Sequence, residues 1–188
     1  GASAIDDLTD GKSGGTNFTG SMLLGHETTG TLNEAQYNTA VGITAMDALT
    51  SGDSNTAVGY NALTSLSSSD FNTAVGYDAL SDHNSGNANT AFGYQSLRKD
   101  TSGSGNTAIG VEAMEYNDDG YYNTAVGITA LYAGQGTHHN VAIGRQSLQT
   151  LGNSGASSNN NIGIGYLAGK YMTTGDYNIL IGSSTRTF

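Results

Sequence analysis

The chain has 188 residues and a formal charge of −10, with 28 Gly and no Pro, Cys or Trp. The acidic balance argues against tracking nucleic acid or docking on anionic lipid, which need a Lys/Arg patch; the six basic residues are scattered, with only Arg98–Lys99 adjacent. The missing cysteines exclude disulfides and thiolate metal sites, and no apolar run reaches membrane-spanning length.

Richness in Gly, Ser, Thr and Asn would suit disorder, but 11 Tyr and regularly spaced Val, Ile and Leu indicate an ordered chain. No basic-then-apolar signal pattern opens it. Residues 1–20 read as a lead-in segment, and residues 21–188 read as a repeat domain.

The repeat is explicit at "NTAVGYNAL" (55–63) and "NTAVGYDAL" (72–80). Its glycine recurs every 17 residues at Gly42, Gly59, Gly76, Gly93, Gly110, Gly127 and Gly144. The next step, to Gly165, is 21 residues, and the last, to Gly182, is 17 again. One interval before Gly42 stands Gly25, so ten copies are expected. The four extra residues fall within "QTLGNSGASSNNN" (149–161), where an outward loop would hold them.

Numbered from its Asn, the unit has Asn at position 1 in every copy but the first, as at Asn55, Asn72 and Asn89. Position 2 is Thr from Thr39 to Thr124 and then Val141, Ile162 and Ile179. Position 3 is mostly Ala, position 4 always apolar (Val58, Val75, Phe92), and position 5 always Gly (Gly59, Gly76, Gly93). Positions 1–4 predict a short strand with alternating faces. Position 4 is expected inside, with positions 1, 3 and 5 on the opposite, small-residue face. Gly at position 5 either permits positive φ or admits a neighbouring backbone. Positions 6–9 predict a second short strand. One such coil cannot bury enough to fold alone. Stacked coils gain a parallel ladder, a continuous apolar row and a column of Asn amides. The fold class is therefore all-β, a parallel β-solenoid of about ten 17-residue coils. The small Asn/Ala/Gly face would let neighbouring chains approach closely around a threefold axis.

"HNVAIG" (139–144) and the "NTAVG" copies resemble the strand repeats in head domains of trimeric autotransporter adhesins. The unit "NTAVGYxAL", with the lead-in "AIDDLTDGKSGGTNFTGSMLLG" (4–25), is similar to repeats in bacteriophage tail fibres. The resemblance implies a left-handed β-roll, a homotrimer, and attachment to a host cell surface from a virion or an extracellular surface. Related fibres often carry a self-cleaving C-terminal chaperone, and on that resemblance the end at "SSTRTF" (183–188) corresponds to such a cut.

Tyr60, Tyr77 and Tyr94, at position 6, could contact a host glycan through their flat faces. The competing reading is that they stack on one another. Aromatics also recur just before the Asn, at Tyr37, Phe71, Tyr122 and Tyr177, with His139 in the same column. His138 and His139 point to opposite faces of a strand and cannot chelate one ion within a chain. Asp118–Asp119 before Gly120 reads as a turn, and Glu112 and Glu115 lie nearby. Such carboxylates could serve glycoside hydrolysis, but nothing in the spacing fixes their separation. No catalytic, cofactor or metal site is expected. The Thr column raises a rival, a solitary ice-binding or other ligand-binding solenoid; a polysaccharide depolymerase is the third class.

Overall fold

A computed structural model describes residues 11–13, 20–24, 34–155 and 157–183. Most of the lead-in, His26 and residues 184–188 of the "SSTRTF" end lie outside the described residues. The strands are β1 (Gly11–Ser13), β2 (Met22–Leu24), β3 (Thr39–Val41), β4 (Thr56–Val58), β5 (Thr73–Val75), β6 (Thr90–Phe92), β7 (Thr107–Ile109), β8 (Thr124–Val126), β9 (Val141–Ile143), β10 (Ile162–Ile164) and β11 (Ile179–Ile181). They form one sheet in chain order, with no helix among the described residues.

From β2 to β11 every pair is parallel and in register, Thr56 on Thr73 and Ala57 on Ala74. The expected solenoid is the fold. At about 4.8 Å per coil the stack is roughly 45 Å long. The lead-in contributes β1, which runs antiparallel along β2 and covers that edge. Although 21 residues separate Val141 from Ile162, the two strands pair without a shift. The insertion is absorbed in the turn and leaves the sheet unbroken.

The two faces of the strand are the reverse of the expectation. Position 3, from Ala40 to Ala142, is fully buried, as is the Asn at position 1 from Asn38 to Asn161. Position 4 faces out, with Val58 36% and Phe92 55% exposed. The cause is coil thickness. Position 9 supplies a buried Leu or Met in most coils, such as Leu63, Leu80, Leu97 and Leu131. Its side chain crosses the interior and leaves room for only a methyl opposite. Where Gly163 replaces the Ala, an added Cβ would lie 2.7 Å from Leu148 Cγ. Beside a Leu or Met at position 9 an inward Val would have no space; where Gly169 stands at that position, Leu180 of the next strand fills the interior instead.

The expected second strand is also absent. Positions 6–9 form consecutive turns in which positions 7 and 9 are left-handed: Asn61 has φ 55° and Leu63 φ 53°, Asp78 52° and Leu80 51°. A left-handed L-residue costs about 1–2 kcal/mol. Stacking offsets this, because burying the Leu returns about 1.5–3 kcal/mol and the turn amides bond between coils. Asn61 N–H donates to Ile43 O at 3.1 Å, and Leu63 N–H to Ala79 O at 3.1 Å.

Both reasons offered for the glycine at position 5 hold together. Gly93 has φ 138°, and a Cβ there would lie 2.5 Å from the carbonyl oxygen of Gly110 in the next coil. The Asn column forms as expected. Asn72 N–H donates to Asn55 Oδ1 at 2.8 Å, and the same bond joins each later pair to Asn178 N–H on Asn161 Oδ1 at 3.0 Å. The amide nitrogen turns across the coil: Asn55 Nδ2 donates to Ser69 O at 2.8 Å and Asn106 Nδ2 to Gly120 O at 2.7 Å. Each Asn from Asn38 to Asn161 thus ties its strand to the next strand and to the closing turn of its own coil.

Candidate functional site: the outward sheet face

Because Ala and Asn occupy the inside, the strand presents its Thr and its Val/Ile/Phe to the outside. Thr39, Thr56, Thr73, Thr90, Thr107 and Thr124 stand in register, half-buried between neighbours. Beside them runs position 4, and beyond the glycine runs position 6: Ile43, Tyr60, Tyr77, Tyr94, Val111, Ile128 and Tyr166, all exposed. Across these three columns Arg145 is the one charged side chain among the described residues, and it lies over the Tyr166 ring, 5.7 Å from its centroid. No Asp or Glu stands on this face, so the acids among the described residues sit elsewhere.

They line the turns, where they hold the coils. Asp53 Oδ1 accepts from Gln36 N–H at 2.7 Å, and Asp70 Oδ1 from Asp53 N–H at 2.8 Å. Glu115 pairs with Arg98, whose Nε donates at 2.9 Å, and Asp82 pairs with Lys99 at 2.7 Å. Asp118 Oδ1 accepts from Thr101 Oγ1 at 2.8 Å. These acids are engaged in the stack, and the carboxylates considered for hydrolysis include Glu115 and Asp118 among them. Among the described residues no three His, Asp or Glu side chains converge on a common point.

Tyr60, Tyr77 and Tyr94 stack on one another, with centroids 5.1 and 5.5 Å apart and rings inclined by 18° and 17°. Both flat faces of Tyr77 are covered by its neighbours, and Tyr60 and Tyr94 each turn one face to it, while all three rings stay part-exposed. The Tyr77 hydroxyl is held above its usual pKa by the Asp78 carboxylate, then by partial desolvation and its two Tyr neighbours. The column before the Asn behaves alike: Tyr122 stacks on His139 at 5.2 Å. His138 instead stacks on Tyr121, 5.2 Å between centroids, and its Nδ1 accepts from Tyr121 N–H at 3.1 Å. Consecutive histidines thus join two different ladders.

One buried column escaped sequence reasoning. Position 12 is Leu49, Leu66, His83, Asp100, Asn117, Gly134, Leu151 and Met172, so an apolar column has a polar centre. His83 and Asp100 are both fully buried, Nδ1 3.8 Å from Oδ1. His83 Nε2 lies 2.9 Å from Gly86 O, and Nδ1 lies 3.3 Å from Asp100 O. Asp100 accepts from Gly103 N–H at 2.6 Å and Asn117 Nδ2 at 3.2 Å. Burial pulls the His83 pKa down; the Asp100 carboxylate and the two carbonyls outweigh it and raise the pKa above the usual value. Aligning position 12 across copies would have exposed the column; read singly, His83 and Asp100 look like turn residues.

Below the insertion a hollow of about 330 Å³ is lined by Tyr116, Tyr132, Ala133, Gln135 and Asn153. Tyr116 and Tyr132 meet edge to face at 5.1 Å. Among the described residues no helix is long and apolar enough to cross a membrane. No protein-family model, curated protein or solved structure matches the chain.

Proposed function

We propose that the chain is a structural and adhesive module of a phage tail fibre or a surface adhesin, assembled as a homotrimer and attaching to a host cell surface without catalysis. The carrying observation is mechanical. Ten parallel strands stand in register, tied by an unbroken Asn ladder from Asn38 to Asn178. Such a stack makes a straight, stiff spacer that lengthens by one strand spacing per repeat, which is what a fibre requires. The sequence resemblance of "NTAVGYxAL" points the same way.

Glycan contact falls mainly to the polar Ser, Asn and Asp turns, since stacking takes both faces of Tyr77 and one face each of Tyr60 and Tyr94. Each turn would bind weakly, and repetition along the rod and between chains would supply avidity. The acidic surface favours a neutral or cationic target. The test is binding of labelled protein to candidate host cells and a glycan array. Concentration-dependent binding supports the adhesive half of the reading; a trimer that binds nothing leaves a shaft.

A second reading has one specific observation in its favour. Six Thr in register on an outward face resemble what an ice-binding solenoid needs. Thermal hysteresis at millimolar protein would support it, and its absence would remove it.

A further inference from the structure

We infer that the outward face of positions 2, 4 and 6 is the surface on which copies of this chain pair with one another along the whole rod. The inference rests on the assembled reading above and assigns the face. It reverses the assignment that small residues suggested, since Ala and Asn are spent inside the coil.

Size is the first argument. Five residues of width at about 3.3 Å and a stack roughly 45 Å long give a patch on the order of 700 Å². A stable interface buries about 800 Å² per partner, whereas the largest apolar patch on an ordinary monomer is about 300–600 Å². Composition is the second. Interfaces are enriched in aromatics and depleted of charge at their centre. Here Phe92 is 55% and Tyr77 48% exposed, and the face carries Arg145 alone among charged residues. Register is the third, and it selects the occupant. The face is corrugated once per strand, and a second copy has the same pitch, so its Val and Ile rows match along the full length. An unrelated partner would need that repeat independently. Even the insertion after Gln149 is looped away, and β9 and β10 keep the face continuous.

The chain has no cysteine, so one introduced thiol reports cleanly. Val75→Cys lies on the face; Ser68→Cys lies on an exposed turn and serves as control. Both are treated with a short bismaleimide at micromolar protein. Light scattering of the wild type and of Tyr60/Tyr77/Tyr94→Ser accompanies them, with far-UV spectra confirming that each variant retains the fold. Expected are a wild type of about three chain masses, inter-chain cross-linking of Val75→Cys at least tenfold above Ser68→Cys, and a triple variant shifted toward monomer. A trimeric wild type whose Val75→Cys cross-links no better than Ser68→Cys overturns the face but leaves the assembly. A monomeric wild type overturns both, and leaves the face open to a crystalline or polymeric surface.

Discussion

Asn72 receives its strand from the coil above: its backbone N–H donates to Asn55 Oδ1 at 2.8 Å, while Asn55 Nδ2 reaches Ser69 O at 2.8 Å. Both asparagines are fully buried. The column therefore works as a polar spine inside a thin core, where each amide satisfies groups that water cannot reach. Removing one amide leaves a buried N–H and a buried carbonyl unpaired, at about 1–3 kcal/mol each. Asn89→Ala should thus lower stability by roughly 2–5 kcal/mol, through Asn106 N–H and Gly103 O. Ser68→Asp, on an exposed turn, should stay within about 0.5 kcal/mol. Chemical denaturation of the two variants checks the contrast.

Gly93 is constrained by conformation and by contact. Gly93→Ala combines a left-handed φ with a Cβ 2.5 Å from Gly110 O. Gly155 also has positive φ, but a Cβ there meets nothing within 4 Å. Gly155→Ala carries only the conformational cost, on the order of 1 kcal/mol. Gly93→Ala should cost several times that, because the neighbouring backbone must move. Thermal melts of the pair separate strain from collision.

The His83–Asp100 pair sets a pH dependence. The folded pKa of His83 is raised, so its protonated form is the better bound. Its contribution is fully present below the unfolded value of about 6.5 and is lost as pH rises through the folded pKa. Stability should therefore decline as pH rises from about 6.5 toward the alkaline side. His83→Leu, which extends the apolar column of Leu66, should abolish that slope and leave Asp100 without its cation. Denaturation midpoints between pH 6 and pH 9 test both statements.

The repeat, the glycine and the asparagine were legible because each is demanded once per coil by geometry that few residues satisfy, Ser21 replacing the Asn in the first copy by accepting from Asn38 N–H at 2.7 Å. The inside of the strand was not. Val58 looks like core beside Ala57, and hydrophobicity alone puts the larger residue inward. What decides is the Leu63 side chain reaching across from the turn, and the turn could not be foreseen because Leu63 adopts a left-handed angle that a leucine does not favour locally, although Asn61 tolerates one. Those angles are imposed by bonds to the coils above and below. Position 12 was hidden for a related reason: only its vertical neighbours make His83, Asp100 and Asn117 one buried cluster. The Tyr60–Tyr77–Tyr94 column was legible as a column, but not the direction of its faces.

Ala and Asn line the inside of the strand while Val and Thr cover its outside. The most direct measurement compares Ala74→Thr with Val75→Thr, adjacent residues of β5 given the same new side chain. Val75→Thr keeps shape and places a hydroxyl on an outward face that already carries Thr73. Ala74→Thr forces two further heavy atoms into a site with no exposure, against the leucine from the turn. Overpacking of this kind costs about 1–3 kcal/mol. In matched denaturation experiments Ala74→Thr should lose at least that much and Val75→Thr clearly less, because only Ala74 has no room for the added atoms. The reverse order, with Val75→Thr the more damaging, would place Val75 in the core and contradict the account.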